Sequence, residues 1–228
     1  INENIKQVGS IKFDAEIQNN IRFNKIISNN KFFLAASTHE GEEEIITDSY
    51  QKLLDDFPNL KLIIVPRHPE RANAVMEIFK NQKINAVIKS DLNIESENSN
   101  AIIINVTGKL DSLYEFAEIA FIGGSLFKKY GGHNFIEAAK NKCAIIVGPY
   151  MKNFEDILNL FKNQNACIQI ESKSELVNAY KELLNNNELR TNMVDNANEV
   201  VAKNRGSLNK QFKYINDLIN YEISNSNN

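Results

Sequence analysis

The sequence has little cysteine, no long apolar run and no excess of positive charge, and each absence excludes a class of protein. Its two cysteines, Cys143 and Cys167, have the spacing of neither a metal site nor a redox pair. Each cysteine begins an apolar run, so we expect two buried thiols on strands, in a reducing compartment.

Membrane-spanning and nucleic-acid-binding proteins carry signals that this chain lacks. A membrane-spanning helix needs about eighteen consecutive apolar residues, and no run in this sequence approaches that length. The first residues also lack the regions of a signal peptide. The formal net charge of -3 and the isoelectric point near 5.8 give no indication of a nucleic-acid partner. The chain begins with Ile1 and not with methionine, so we expect it to be part of a longer protein.

The sequence does contain a regular alternation of apolar, β-branched runs with segments of helical period. This alternation predicts an α/β domain, with a Rossmann-like parallel sheet of six or seven strands and helices on both faces. The predicted strands begin at residues 31, 61, 84, 101, 119, 143 and 167. A helix is predicted after each of them except the third, which is followed by a polar loop around residues 95–100. We expect a linker over residues 1–30, one domain over residues 31–223 and a disordered tail over residues 224–228.

The residues that follow each predicted strand are the first candidates for a functional site. In open parallel sheets, ligands bind beyond the carboxyl ends of the strands. Here these positions carry glycines and polar side chains, and they include all three histidines of the chain, His39, His68 and His133. The segments concerned are residues 37–41, 66–69, 107–109, 123–134 and 148–150.

The glycine-rich segment after the fifth predicted strand is the most distinctive of them. Its glycines permit close backbone approach to a ligand, and a helix that begins near His133 would present free N–H groups to a phosphate. Asn134 and Glu137 would share the first turn of that helix, where a carboxylate could bind a ribose diol. An equally good interpretation is that Asn134 caps the helix and Glu137 completes a capping box. Neither a GxGxxG nor a P-loop motif occurs, so the glycines alone are weak evidence.

The other candidate side chains also have ordinary explanations. Arg67 could pair with a phosphate or a carboxylate, but taken alone it is better explained as a surface arginine that ends a strand. His39 and His68 lack the spacing of a metal site, so we expect no metal and interpret them as loop-packing or substrate-contacting residues. The acidic run from Glu40 to Glu44 favours a helix N-terminus, whose dipole it stabilises.

Four motifs together resemble one enzyme family. STHEGEEE, VPRHPER, FIGGSLFKKYGGHNFIEAA and VGPYMKNFEDI are similar, in this order, to the 3-deoxy-D-manno-octulosonic acid (Kdo) transferases of lipopolysaccharide synthesis. VGSIKFD resembles the linker between that family's two domains, so the resemblance runs from about Val8 to the end of the chain. It implies a GT-B glycosyltransferase, with two Rossmann-like domains across a cleft. It also implies that this chain is the C-terminal domain, which binds the donor CMP-Kdo.

The resemblance implies roles for particular residues. The CMP-binding positions are Pro66, Arg67, Thr107, Gly108, Lys109, Asn134 and Glu137, and the further pocket positions on the same edge are His39, Gly123, Gly124, Ser125 and His133. Lys109 departs from the family pattern, which usually has an acid there, so residues 107–109 are expected to contribute backbone contacts. Lys12 matches a lysine that stabilises the transition state, where an ammonium can offset the charge on departing CMP.

The implied reaction is an inverting, metal-independent and cofactor-free transfer of Kdo from CMP-Kdo to a lipid A precursor. The acceptor hydroxyl attacks the anomeric carbon after losing its proton to a base. In the family, that base, the acceptor site and the membrane-associating segment lie on the N-terminal domain. The resemblance therefore implies a soluble domain that binds nucleotide without turnover, within an enzyme at the cytoplasmic face of the bacterial inner membrane.

Three alternatives remain at this point. The first is another GT-B enzyme of nucleotide sugars, such as a UDP-sugar transferase or an epimerase. The second is a non-catalytic domain that binds a nucleotide sugar or a partner protein. The third is a flavodoxin-like module without a nucleotide, which would leave the polar residues at the strand ends unexplained.

Overall fold

A seven-stranded parallel sheet organises the computed structural model, which describes residues 7–15, 32–90, 99–108 and 110–226. The strands are β1 (Phe32–Thr38), β2 (Lys61–Pro66), β3 (Ala86–Lys89), β4 (Ala101–Ile104), β5 (Ile119–Ile122), β6 (Ala144–Val147) and β7 (Ile168–Gln169). Every neighbouring pair is parallel. The predicted parallel α/β sheet is therefore confirmed, with the larger of the two expected strand numbers.

The strand order β3-β4-β2-β1-β5-β6-β7 creates one switch point in the middle of the sheet. From β1 the chain builds outward through β2, and it later returns to the other side of β1 as β5. The connections that leave β1 and β5 run to opposite sides, which opens a crevice at the carboxyl ends of these strands. The loops that begin at His39 and Gly123 border that crevice.

Helices cover both faces of the sheet. They are α1 (Glu42–Leu54), α2 (Ala72–Asn81), α3 (Leu110–Tyr114), α4 (Ile136–Lys140), α5 (Glu155–Lys162), α6 (Glu175–Asn185), α7 (Asn187–Asn204) and α8 (Ser207–Ser226). One core contains α1, α2 and α6, and the other contains α3, α4, α5 and α7. All seven residues of β1 are buried, as expected of a strand covered on both sides, and its side chains alternate between the two cores.

The described part of the linker packs against the domain. Ile11–Phe13 form a single 3₁₀ turn, and the Phe13 side chain is buried in the core. The carboxylate of Asp14 accepts hydrogen bonds from the backbone N–H groups of Gly206 and Leu208, where α8 begins. Residues 7–15 are therefore held on the domain surface at the junction of α7 and α8.

Several boundaries differ from those expected from the sequence. The strand β3 begins at Ala86 and not at residue 84, and β6 and β7 each begin one residue later than expected. The helix expected near His133 begins at Ile136 and has only five residues. Residues 131–135 have no regular structure, because Gly131 and Gly132 both have positive φ angles of 72° and 80°. The last helix continues to Ser226, three residues beyond the expected boundary at 223.

Two further features bear on the expectations from composition. Cys143 and Cys167 are buried free thiols, as predicted, but each lies one residue before a strand and not on it. Burial raises the pKa of Cys167 to about 12. Within the described residues, no helix is long and apolar enough to cross a bilayer.

The helix α8 exposes a row of large apolar side chains, namely Leu208, Phe212, Ile215, Leu218 and Ile219.

Candidate functional site

The three histidines of the chain lie together at the carboxyl edge of the sheet. The Nε2 atoms of His39 and His133 are 2.7 Å apart, which is hydrogen-bonding distance. Tyr130 stacks on the His39 ring with centroids 3.9 Å apart, and the His68 ring lies edge-on at 5.7 Å. The structure therefore brings together residues that follow the separate strands β1, β2 and β5.

The His39–His133 pair is uncharged at neutral pH. Burial, together with the nearby His133, His68, Arg67 and Arg71, lowers the pKa of His39 to about 4. Burial and the nearby Arg67 and His68 likewise lower the pKa of His133 to about 4. When both rings are neutral, the protonated Nε2 of one ring can donate a hydrogen bond to the unprotonated Nε2 of the other, which accounts for the short distance.

Glu42 organises the glycine-rich loop after β5. Its side chain is fully buried, and its Oε1 accepts hydrogen bonds from the backbone N–H groups of Ser125 (3.0 Å) and Leu126 (2.9 Å). Its Oε2 accepts from the N–H groups of Gly124 (2.7 Å) and His39 (2.9 Å). The amides of residues 124–126, which were expected to approach a ligand, are thus already hydrogen-bonded within the protein.

This role of the acidic run was not predicted from the sequence. Glu42, Glu43 and Glu44 lie in the first turn of α1, as predicted, but the first two are also completely buried. Glu43 pairs with Arg71 at 3.2 Å and accepts a hydrogen bond from Thr38. The partners of Glu42 in the loop are 82 to 84 positions away, a separation that no local pattern reveals.

The close approach of the His133 ring requires a glycine at position 124. The φ of +69° at Gly124 lies in the left-handed region, and an added Cβ would stand 2.8 Å from Cδ2 of the His133 ring. Gly123 lies equally close to the backbone of Ser37, whose carbonyl oxygen would be 2.4 Å from an added Cβ. Both glycines therefore serve close packing inside the protein at the place where ligand approach was expected.

Ser125 is also used internally. It is fully buried, and its hydroxyl donates to the carbonyl of Ile122 and accepts from the N–H of Gly148 at 2.8 Å. These bonds connect the loop after β5 to the end of β6. The hydroxyl that was counted among the further pocket residues is thus fully occupied within the structure.

Asn134 and Glu137 form a connected pair before and within the short helix α4. The Asn134 amide donates to Oε1 of Glu137 at 3.2 Å, and its Oδ1 accepts from the N–H of Ile136 at 3.1 Å. Both side chains are half-buried. Asn134 thus forms a turn with Ile136 before α4, whose N-cap is Phe135 without a side-chain cap. The expected cap and capping box are therefore not formed by Asn134 and Glu137, and the Glu137 carboxylate accepts from the Asn134 side chain.

Asp111, a residue not singled out from the sequence, lies beside Glu137. Burial and the neighbouring Asp111 carboxylate raise the pKa of Glu137, while the Asn134 amide opposes this. Asp111 is in the first turn of α3, directly after the segment of Thr107 and Gly108. The structure thus brings the 107–108 segment and the Asn134–Glu137 pair to the same region through the packing of α3 on α4.

The remaining positions that the resemblance assigns to CMP are Pro66, Arg67, Thr107, Gly108 and Lys109. Pro66 ends β2 and is buried, whereas the Arg67 side chain is exposed and its backbone N–H donates to the carbonyl of Thr38 at 2.9 Å. Thr107 and Gly108 are exposed, with no atom within 4 Å of an added Cβ at Gly108. Lys109 lies outside the described residues.

Lys12, which belongs to the linker, contacts Asn153 and Phe154 in the loop after β6. Its ammonium donates to the carbonyl of Asn153 at 3.2 Å and lies 3.9 Å from the centroid of the Phe154 ring. Asn153 in turn donates from its side chain to the carbonyl of Tyr130 at 3.0 Å, and from its backbone to that of Gly131 at 2.9 Å. Asn153 therefore connects Lys12 to the residues that precede His133.

In the part of the chain that the structure describes, no group of three or more His, Cys, Asp or Glu side chains is arranged to hold a metal ion. The arrangement is one of hydrogen-bonding groups around a crevice: an exposed guanidinium, an amide–carboxylate pair, a neutral histidine pair and exposed backbone. Such a set can bind the phosphate and hydroxyl groups of a polar organic ligand.

Comparison of sequences places these features among known proteins. No protein-family model matches the chain. The 3-deoxy-D-manno-octulosonic acid transferase of Haemophilus influenzae is 35% identical over 216 residues, which make up 91% of this chain and 50% of that protein. The protein of the same name from Rickettsia prowazekii is 34% identical over 91% of this chain and 46% of its own length. The chain thus spans about half the length of the curated relatives it matches.

A solved structure shows which half of these relatives the chain resembles. The C-terminal CMP-Kdo binding domain of WaaA from Acinetobacter baumannii superposes with a TM-score of 0.72 and is 29% identical. The match covers 77% of this chain and 91% of that domain. Together with the strand order, this likeness confirms the predicted fold of a GT-B glycosyltransferase domain.

Proposed function

The chain is a homologue of the Kdo transferases that corresponds to their C-terminal domain, and from this premise we propose that it is the donor-binding domain of such an enzyme. Its ligand would be CMP-Kdo. The proposal is supported by the Asn134–Glu137 pair, which follows His133, and by Arg67, which is close enough to His133 to lower its pKa. The 107–108 segment precedes α3, whose Asp111 lies beside Glu137. Arg67, the Asn134–Glu137 pair and the 107–108 segment are positions that the family resemblance assigns to CMP.

Each group suits one part of the nucleotide. The exposed Arg67 guanidinium can form two parallel hydrogen bonds with the phosphate. The Glu137 carboxylate has a second oxygen beyond the one that accepts from Asn134, and an ionised carboxylate can accept both hydroxyls of a ribose diol. The exposed backbone at Thr107 and Gly108 offers N–H and C=O groups to the base.

Lys12 would act on the leaving group. CMP departs with a developing negative charge, and an ammonium close to it stabilises the transition state more than the ground state. The link through Asn153 to the Tyr130–Gly131 segment supports a position for Lys12 at the border of the crevice. In the structure, the Asn153 carbonyl and the Phe154 ring hold the ammonium.

The complete reaction would need a second domain. We propose that the whole enzyme transfers Kdo with inversion to a lipid A precursor, at a membrane surface, with the base that deprotonates the acceptor on the other half. The chain alone would then bind CMP without turnover. Product formed from CMP-Kdo and acceptor by this chain alone, at enzyme-like rates, would contradict that division of roles.

Calorimetric titration with CMP, UDP and GDP tests the proposal. We expect saturable binding of CMP with clear preference over the other two, and its loss in Arg67→Ala and Glu137→Ala. Matched controls are Lys52→Ala and Glu77→Ala, which each remove an exposed charge of the same sign from a helix surface. Preference for UDP would favour a UDP-sugar enzyme, and absence of binding to a folded chain would contradict the donor-domain function.

A further inference from the structure

The carboxylate of Glu42 occupies a position that is built to hold an anion. The N–H groups of three successive residues, Gly124, Ser125 and Leu126, point to its two oxygens at 2.7 to 3.0 Å. Successive backbone N–H groups that converge in this way form a concave anion-binding site, of the kind that holds phosphate in other proteins. Here the protein's own side chain fills that site.

The setting of Glu42 explains why a carboxylate can stay there. The side chain is completely buried, so burial raises the pKa of Glu42, and four backbone N–H groups act in the opposite direction. The same residue begins α1, where the positive end of the helix dipole favours negative charge. No other side chain of the described residues supplies a hydrogen bond to these three amides.

The bonds of Glu42 reach both halves of the histidine pair. Its Oε2 holds the backbone N–H of His39 and that of Gly124. Gly124 in turn contacts the ring of His133 so closely that it leaves no room for a Cβ. One buried carboxylate therefore sets the distance between the backbone segments that bring His39 and His133 together.

We propose that Glu42 is a positioning residue of the ligand site, which closes the backbone anion site of residues 124–126 and holds His39 and His133 in place. A bound phosphate would then be held by side chains such as Arg67 and not by the glycine-rich backbone. The identity of the ligand rests on the proposed function, whereas the closure of the loop by Glu42 does not.

The matched pair Glu42→Gln and Glu43→Gln tests this role. Both glutamates are fully buried, lie in the same turn of α1 and lose one charge in the variant. Only Glu42 contacts the loop, because Glu43 pairs with Arg71 and Thr38. The measurements are CMP affinity by calorimetry, thermal unfolding, and the ring resonances of the three histidines by NMR.

Both variants should unfold at lower temperature, since each leaves buried partners poorly paired. Glu42→Gln should also weaken CMP binding about tenfold, the size of effect expected when a charged hydrogen-bond acceptor is lost, and shift the His39 and His133 ring signals. Glu43→Gln should keep the wild-type CMP affinity within about twofold and the same ring signals. Equal CMP affinities and unshifted rings in the two variants would overturn the proposal.

A measurement on the unaltered chain covers the case in which Glu42→Gln does not fold. The amides of residues 124–126 should exchange slowly in the free protein, and saturating CMP should leave that exchange unchanged. Fast exchange that becomes slow with CMP would mean that the loop takes the phosphate, and would overturn the proposal. If CMP does not bind at all, the proposed function fails, while slow exchange of these amides still supports the closure by Glu42.

Discussion

The Nε2 atoms of His39 and His133 lie 2.7 Å apart although 94 positions separate the two residues in the chain. The pair exists because β1 and β5 are neighbours in the sheet, so the loops that follow them share one crevice. Its neutrality has a consequence for stability.

Stability that derives from this pair should be lost in acid. The pKa of each histidine is about 4 in the folded chain, below the ordinary value of 6.5, so the unfolded chain binds protons first as the pH falls. The contribution is fully present above pH 6.5 and is lost as the pH falls from 6.5 through 4. After allowance for partial exposure, we expect about 1 kcal/mol per histidine.

Urea unfolding at pH 7.5 and at pH 5, for the wild type and for a His39→Gln/His133→Gln variant, measures this loss. The raised pKa values of Glu42, Glu43 and Glu137 act in the opposite direction in the acid range, but they are common to both proteins. The wild type should therefore lose more stability than the variant between the two pH values. An identical loss in both would show that the pair does not resist protonation.

Asp111 should set the acid limit of CMP binding through Glu137. Burial and the Asp111 carboxylate raise the pKa of Glu137, and a protonated Glu137 accepts fewer hydrogen bonds from a ribose diol. CMP affinity should therefore fall as the pH drops through that raised value. In Asp111→Asn the fall should occur at lower pH, because a like charge has been removed. Calorimetric titrations from pH 4.5 to 7.5 compare the two proteins, and titration of the CMP phosphate itself cancels in the comparison.

Alanine at Gly124 should destabilise the domain more than alanine at Gly206. Both glycines have positive φ angles, +69° and +89°, so both substitutions carry backbone strain of about 1 kcal/mol or more. Only at Gly124 does the added Cβ meet another side chain, the His133 ring at 2.8 Å, whereas no atom lies within 4 Å at Gly206. We expect a difference of about 1 to 2 kcal/mol in the free energy of unfolding. Equal losses in urea unfolding would mean that the His133 ring moves aside without cost.

Lys12 should matter for turnover more than for donor binding. If its ammonium acts on the charge that develops on departing CMP, Lys12→Met in the complete enzyme should lower kcat about 100-fold, with a smaller change in KM. Lys152→Met is the control, because Lys152 is exposed and lies next to Asn153, whose carbonyl holds the Lys12 ammonium. Steady-state kinetics distinguishes the two. A loss in Lys12→Met that is confined to KM would assign Lys12 to ground-state binding.

The order of elements could be predicted from the sequence with few errors. The strand β1 begins with an unbroken apolar run, residues 32–36, because both of its faces are buried, and that property is visible in the residues themselves. The amphipathic helices are equally local, since each shows its apolar stripe within a few turns. The weakest prediction concerned the residues around His133, because consecutive glycines with positive φ delay the start of α4 to Ile136.

The sequence by itself thus determined the class of fold, the parallel sheet and the strand ends at which a site could form, because each follows from periodicity over a few residues. Only the tertiary structure decided which of those ends meet, because the strand order places β1 between β2 and β5. Because of that order, the Glu42 side chain lies against the loop that follows β5 and accepts hydrogen bonds from it. The fold likewise places Asp111 beside Glu137. Contacts between positions far apart depend on how the sheet is assembled, and no short segment contains that information.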